Sequence, residues 1–135
     1  MLKVIGKKIY LTRGDTAYIK VNIRTPDGQP YTFTKGDEVW FAVKRKTTDN
    51  DYLIAPKTLE PQVVEGTEND RYPQYEVYLY ISPEETDSLP FGTFVYDLSL
   101  VNDSKNYVST IIEPSPFVVL EEVGSSRRRG GGWYA

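Results

Sequence analysis

Four stretches of the chain alternate between apolar and polar residues with a period of two. From Thr16 to Arg24, Ala17, Ile19, Val21 and Ile23 fall on one side, and Tyr18, Lys20, Asn22 and Arg24 on the other. Val39, Phe41 and Val43 alternate with Trp40, Ala42 and Lys44. Tyr75, Val77, Leu79 and Ile81 alternate with Glu76, Tyr78 and Tyr80. Phe94, Tyr96, Leu98 and Leu100 alternate with Val95, Asp97, Ser99 and Val101. This period predicts strands with one buried face and one wet face. Shorter apolar runs predict further strands at Lys8 to Leu11 (an edge), Tyr31 to Phe33, Tyr52 to Ile54 (ended by Pro56), Val63-Val64, Tyr107 to Ile112 and Phe117 to Leu120. Pro114 and Pro116 predict a break before the last of these.

Turn chemistry separates the runs. Arg13-Gly14-Asp15, Pro26-Asp27-Gly28-Gln29-Pro30, Lys35-Gly36-Asp37 and Asn102 to Asn106 all carry residues suited to tight bends. One segment reads as helical. Ser82 is a good N-cap, Pro83 suits the first helical position and Glu85 completes a capping box. Leu89-Pro90 ends the helix, because a residue before proline is pushed out of the α region. The expected fold is therefore all-β: an immunoglobulin-like antiparallel sandwich of about eight strands, with one short helical crossover at 82–89.

At 135 residues the chain is expected to form one domain over residues 1–123. Residues 124–135 differ in composition, being rich in Gly and Arg with an aromatic end. No internal repeat interrupts the sandwich pattern. Cysteine and histidine are both absent, which excludes disulfides, thiolate metal sites and the commonest general base. The net charge of −3 argues against nucleic acid as a partner. Met1 to Gly6 holds no long apolar run, so no signal peptide is expected, and no stretch approaches a membrane span. Eleven tyrosines stand out, because tyrosine favours both strands and interfaces.

The candidate chemical motifs have simpler readings. Arg13-Gly14-Asp15 matches an integrin-binding tripeptide but is also plain turn chemistry. Asp49, Asn50, Asp51 and Asp103 could offer oxygens to calcium, but the ordered calcium-loop pattern is missing and a solvated loop tip is expected. Glu84, Glu85 and Asp87 sit on one helical turn, where the helix dipole and capping box account for them. A glycosidase pair must flank a bond from opposite sides. No catalytic residue, metal ligand or cofactor is therefore expected.

The interface candidates are outward aromatics and the last residues. Trp40, Tyr78 and Tyr80, with Tyr18, fall on nominally wet strand faces. They could pair across strands, anchor a subunit interface or form a sugar-stacking platform. Arg127, Arg128 and Arg129, followed by Trp133 and Tyr134, read as an arm that contacts a neighbouring subunit.

Three blocks carry a resemblance. They are Leu11-Thr12-Arg13-Gly14-Asp15-Thr16 with Pro26-Asp27-Gly28-Gln29-Pro30-Tyr31, then Gly36 to Lys44, then Ile81 to Leu98. In order and spacing they resemble the N-terminal domain of the baseplate upper protein family of tailed phages of Gram-positive hosts, over about residues 9–120. The resemblance implies a β-sandwich that docks onto other virion structural proteins and performs no catalysis. It implies a place in the phage particle after synthesis in the host cytoplasm, in a homo- or hetero-oligomeric assembly. The chain departs from the family in carrying the Arg-Gly-aromatic segment where receptor-binding domains would follow. Capsid decoration, anchoring of a head fibre and binding of host-surface glycans therefore stand as alternatives, with neither nucleic acid nor membrane as partner.

Overall fold

The computed structural model of the chain describes residues 2–71 and 73–121. Nine strands, one α-helix and one 3-10 turn make up the described elements. In order they are β1 (Leu2–Ile5), β2 (Lys8–Thr12), β3 (Ala17–Asn22), β4 (Glu38–Lys44), β5 (Ile54–Leu59), β6 (Pro61–Val63), β7 (Tyr75–Ile81), α1 (Pro83–Asp87), β8 (Gly92–Asn102), the 3-10 turn Asp103–Lys105 and β9 (Tyr107–Leu120). Six strands form a large sheet in the order β1-β2-β9-β8-β4-β5, and three form a small sheet in the order β3-β7-β6. All pairings are antiparallel except β2 with β9.

The alternation explains the two layers. Ile9 and Leu11, Val39, Phe41 and Val43, Ile54 and Leu59, Phe94, Tyr96, Leu98 and Leu100, and Phe117 and Val119 are the core residues of the large sheet. They share one buried cluster with Ala17, Val77, Leu79 and Ile81 of the small sheet. Fully burying a side chain of this size contributes about 1.5–3 kcal/mol, so the sandwich needs no covalent tie. The rings of Phe41, Tyr96 and Phe117 meet within this layer at centroid distances of 5.8 to 6.3 Å. The buried Tyr96 hydroxyl has a polar outlet, donating to the Lys7 carbonyl at 2.5 Å, and burial raises its pKa.

The crossover forms as its sequence implies. Ser82 Oγ accepts from the Glu85 N–H at 3.2 Å, and Glu85 Oε1 accepts from the Ser82 N–H at 3.0 Å. Lys57 of β5 reaches the same carboxylate at 2.9 Å and donates to the Tyr80 carbonyl at 2.7 Å. Desolvation would raise the Glu85 pKa, but the Ser82 and Lys57 hydrogen bonds outweigh it and hold the carboxyl below its ordinary value. Thr86 is fully buried. Its hydroxyl donates to the Asp15 carbonyl at 2.8 Å and accepts from the Gly14 N–H at 3.1 Å. The helix is thereby fastened to the turn that leads into β3.

A second polar knot closes the start of β4. Buried Asn102 donates to Asp37 Oδ1 at 2.7 Å and to the Lys35 carbonyl at 3.2 Å. Asp37 Oδ2 accepts from the Thr34 N–H at 2.8 Å and from the Tyr31 hydroxyl at 3.1 Å. Gly36 has φ +91°, and a Cβ there would lie 3.1 Å from Asn102 Oδ1, so the position demands glycine. Desolvation alone would raise the Asp37 pKa, but these donors hold it below the ordinary carboxylate value. The resulting stabilisation is present above the unfolded pKa of about 3.9 and is lost as pH falls through the lower folded value. The Tyr31 hydroxyl is pushed up to about 12, first by desolvation and then by Asp37.

Several boundaries differ from expectation. The strand at Lys8 to Leu11 is not an edge, because β1 pairs outside it. Tyr31 to Phe33 forms no strand. Only an isolated bridge joins Arg24 to Pro30, and the Tyr31, Phe33 and Tyr75 rings pack edge to face instead. β5 runs through Pro56, which a sheet tolerates on an edge strand, where the missing N–H has no partner to lose. β9 runs through Pro114 and Pro116 without ending. Its pairing with β8 slips between Tyr96 and Leu98, opposite this stretch, and β2 covers its other side only from Phe117 onward. Pro114 therefore falls at the slip, and Pro116, opposite Val95 of β8, lies just before β2 begins to pair on its other side.

The Thr86 knot yields a test. Thr86→Val keeps the shape but leaves the Gly14 N–H and Asp15 carbonyl without the hydroxyl. It is expected to lower the unfolding free energy by about 1–3 kcal/mol, while Thr86→Ser retains most of it. Denaturant unfolding of the two variants measures the difference.

Candidate functional site

Because the strands alternate, whatever is not core must lie on one of two outer faces. The structure divides the aromatic candidates between them. Trp40 lies on the outer face of the large sheet, whereas Tyr18, Tyr78 and Tyr80 lie on the outer face of the small one. A single stacking platform of Trp40, Tyr78 and Tyr80 is therefore not assembled. The sequence period assigns a side chain to a face but does not say which sheet owns that face.

On the small sheet, Tyr18 stands opposite Tyr80, with Lys20 opposite Tyr78 and Asn22 opposite Glu76. The Tyr18 ring lies 5.4 Å from Tyr78 and 6.4 Å from Tyr80, centroid to centroid. Tyr18 remains 59% exposed and Tyr80 48%. The Tyr78 hydroxyl donates to Glu76, whose carboxylate lies 3.7 Å from Lys20 Nζ. The hydrogen bond to Glu76 raises the Tyr78 pKa, and desolvation adds to it. Two of the three hydroxyls thus remain at a wet surface above an apolar ring ladder, the form that suits a protein contact.

On the large sheet, a groove of about 620 Å³ runs over β4 and β8. Trp40, Ala42, Asp97 and Ser99 line its floor, with Tyr52 and Pro56 on the β5 side and Val108 and Pro114 on the β9 side. Trp40 is half-buried, and its indole N–H already donates to Glu38 at 3.1 Å. Lys44 Nζ stands 4.8 Å from the Tyr52 ring centre. Asp97 sits between Val95 and Ser99 on the β8 outer face, and desolvation raises its pKa against the opposing pull of Lys44. Tyr52, Val108 and Pro114 escaped the sequence reading because they join the groove only through strand pairing. Asp97 could have been noticed as the one charged residue on its strand face.

The remaining motifs resolve structurally. Gly14 of the Arg-Gly-Asp tripeptide is buried against Thr86, and the Arg13 guanidinium lies 4.2 Å from the Phe91 ring centre. The tripeptide is a packed joint and not a displayed loop. Glu85 caps α1 and pairs with Lys57. Among the described residues no group of three acidic side chains gathers as a metal site. Arg127, Arg128, Arg129, Trp133 and Tyr134 lie outside the described residues.

No protein-family model matches the chain, and no curated protein matches it.

Asp97 offers a test with a definite sign. Its folded pKa lies above the unfolded value of about 3.9, so its stability contribution falls as pH rises through the folded value and becomes a fixed penalty at neutral pH. Asp97→Asn is expected to raise the Tm at pH 7 and to give no gain near pH 3 (about one unit below the unfolded pKa). Thermal melts of both proteins across this range check the sign.

Proposed function

We propose that the chain is a non-enzymatic phage virion structural protein, an immunoglobulin-like adaptor of the tail or baseplate that docks onto neighbouring virion subunits. Three features support this reading. The blocks that carry the resemblance are coupled in the fold. Leu11 to Thr16 joins β2 to β3, Gly36 to Lys44 closes the turn and forms β4, and Ile81 to Leu98 spans the end of β7, α1 and much of β8. β4 pairs directly with β8, and Thr86 binds the third block to the first. The strand orders β3-β7-β6 and β9-β8-β4-β5 match those of strands B-E-D and G-F-C-C′ in a variable-type immunoglobulin sandwich.

The observation that carries the docking role is the tyrosine ladder of Tyr18, Tyr78 and Tyr80. Exposed tyrosines with wet hydroxyls supply large contact area at little entropic penalty. Arg127 to Arg129, with Trp133 and Tyr134, would add charge-assisted and aromatic contacts to the same assembly. Capsid decoration or fibre anchoring would use the same contacts at another place in the particle.

A particle-incorporation assay tests the docking role. Tyr18→Ser/Tyr80→Ser is expected to change the unfolding free energy by less than about 1 kcal/mol. It should nevertheless lower incorporation by at least about tenfold, as for an interface hot spot. Removing residues 125–135 is expected to lower incorporation while leaving the Tm nearly unchanged. Normal incorporation of both proteins overturns the docking role.

The groove on the opposite face favours a second reading, glycan binding, because Trp40 and Tyr52 line a concave surface beside Asp97 and Ser99. In a Trp133→Phe chain, Trp40 is the sole tryptophan. A host cell-wall polysaccharide should then shift its emission, and Tyr52→Ala should weaken that response. A panel of such glycans without effect discards the glycan reading and leaves the docking role in place.

A further inference from the structure

We propose that two copies of the chain pair antiparallel through the first half of β9, about a two-fold axis near Ser109, to form one continuous sheet. This concerns a sheet edge and neither outer face, so it stands whether or not the chain belongs to a virion.

β9 is fourteen residues long, but its two halves differ in their neighbours. Its second half lies between β8 and β2, with Phe117 to Leu120 paired to Ile9 to Thr12. Its first half pairs only with β8, through Tyr107 with Asn102, Val108 with Val101, Ser109 with Leu100 and Thr110 with Ser99. Among the described residues no strand lies on the other side of 107–112. The open stretch is bounded at one end by the β1–β2 turn, where Lys7 meets Glu113 at 3.0 Å, and at the other by the 3-10 turn Asp103–Lys105.

Open edges are normally guarded by lysine, proline or a bulge, because unpaired N–H and C=O groups template further pairing. Three of the four outermost strands follow this practice. β5 carries Pro56 and Lys57, β3 carries Lys20 and β6 carries Pro61. Residues 107–112 read Tyr-Val-Ser-Thr-Ile-Ile, with neither charge, proline nor glycine. The pairing with β8 slips by one residue at Ile111, so the regular part is Tyr107 to Thr110. Val108 is 70% exposed and Tyr107 45%, although both are strand-favouring residues suited to cross-strand contacts.

A second copy fits this edge better than an unrelated strand. A two-fold at Ser109 sets Tyr107 of each copy opposite Ile111 of the other, Val108 opposite Thr110 and Ser109 opposite itself, so no charge meets a like charge within the seam. The same two-fold sets Lys105 of each copy opposite Glu113 of the other. The seam therefore ends in groups of opposite sign.

The experiment is sedimentation of the full chain over a concentration series, with Thr110→Lys and Val108→Lys in parallel. Thr110 is exposed, so its lysine variant is expected to fold as the parent does. The parent is expected to pass from monomer to dimer with rising concentration. Each lysine is expected to weaken dimerisation by at least about tenfold, or about 1.4 kcal/mol. Hydrogen exchange of the parent supplies a reading free of substitutions, since amides within 107–112 should gain protection as dimer forms. A parent that stays monomeric at millimolar concentration overturns the proposal. So does a dimer that both lysine variants retain, or a dimer whose 107–112 amides exchange as freely as in the monomer.

Discussion

Phe41, Tyr96 and Phe117 come from three adjacent strands of the large sheet, and their rings pack into one layer against the small sheet's buried residues. With no cysteine to link the sheets, this apolar layer is what they close upon. It also fixes parity. Once Phe41 points inward, Trp40 and Ala42 must point outward; once Tyr96 does, Asp97 must face the groove. Tyr96 also fixes the sheet's edge, because its hydroxyl holds the Lys7 carbonyl and with it the β1–β2 turn. A one-residue slip here would expose the core and bury Asp97 together.

Two polar knots handle what the apolar layer cannot. Thr86 and Asn102 are fully buried, and both saturate backbone groups of turns far away in sequence. Neither is costly to bury, because each finds partners of good geometry. The knots act on the connections: one fastens the crossover helix beside the start of β3, and the other closes the loop that enters β4. The sheets are apolar in their meeting, and the loops are polar in their anchoring.

The sequence made the strands with strict alternation legible, and the Ser82–Glu85 capping box even at the level of atoms. These signals are local, residing within a few residues. Pairing is not local. Nothing near Pro56 or Pro114 shows that the strand continues, since the tolerance comes from a missing neighbour on one side. The failure to place Trp40 and Tyr78 on opposite faces of the molecule has the same origin. A period of two separates in from out, but two sheets have two outsides. The groove was hidden for this reason too, because Tyr52 and Val108 are remote in sequence and meet only through β4 and β8. Asp97 is the exception, the one charge among uncharged outward residues, visible in the strand itself.

The edge and the faces bear on one another through β9. An antiparallel seam between identical strands places its two-fold axis perpendicular to the sheet, so both copies present the same face to the same side. The two grooves would then lie on one surface and the two tyrosine ladders on the other. Val108 belongs both to the groove wall and to the unpaired edge, so the seam would form beside the grooves and extend their walls. Each ladder alone offers a few aromatic contacts, too few for a stable interface of standard size. Two held rigidly on one surface would act as a bivalent contact, in which the second engagement is intramolecular and gains affinity with no new residue. In a sandwich whose interior is wholly committed to packing, this is how a modest surface could bind firmly to a repetitive partner.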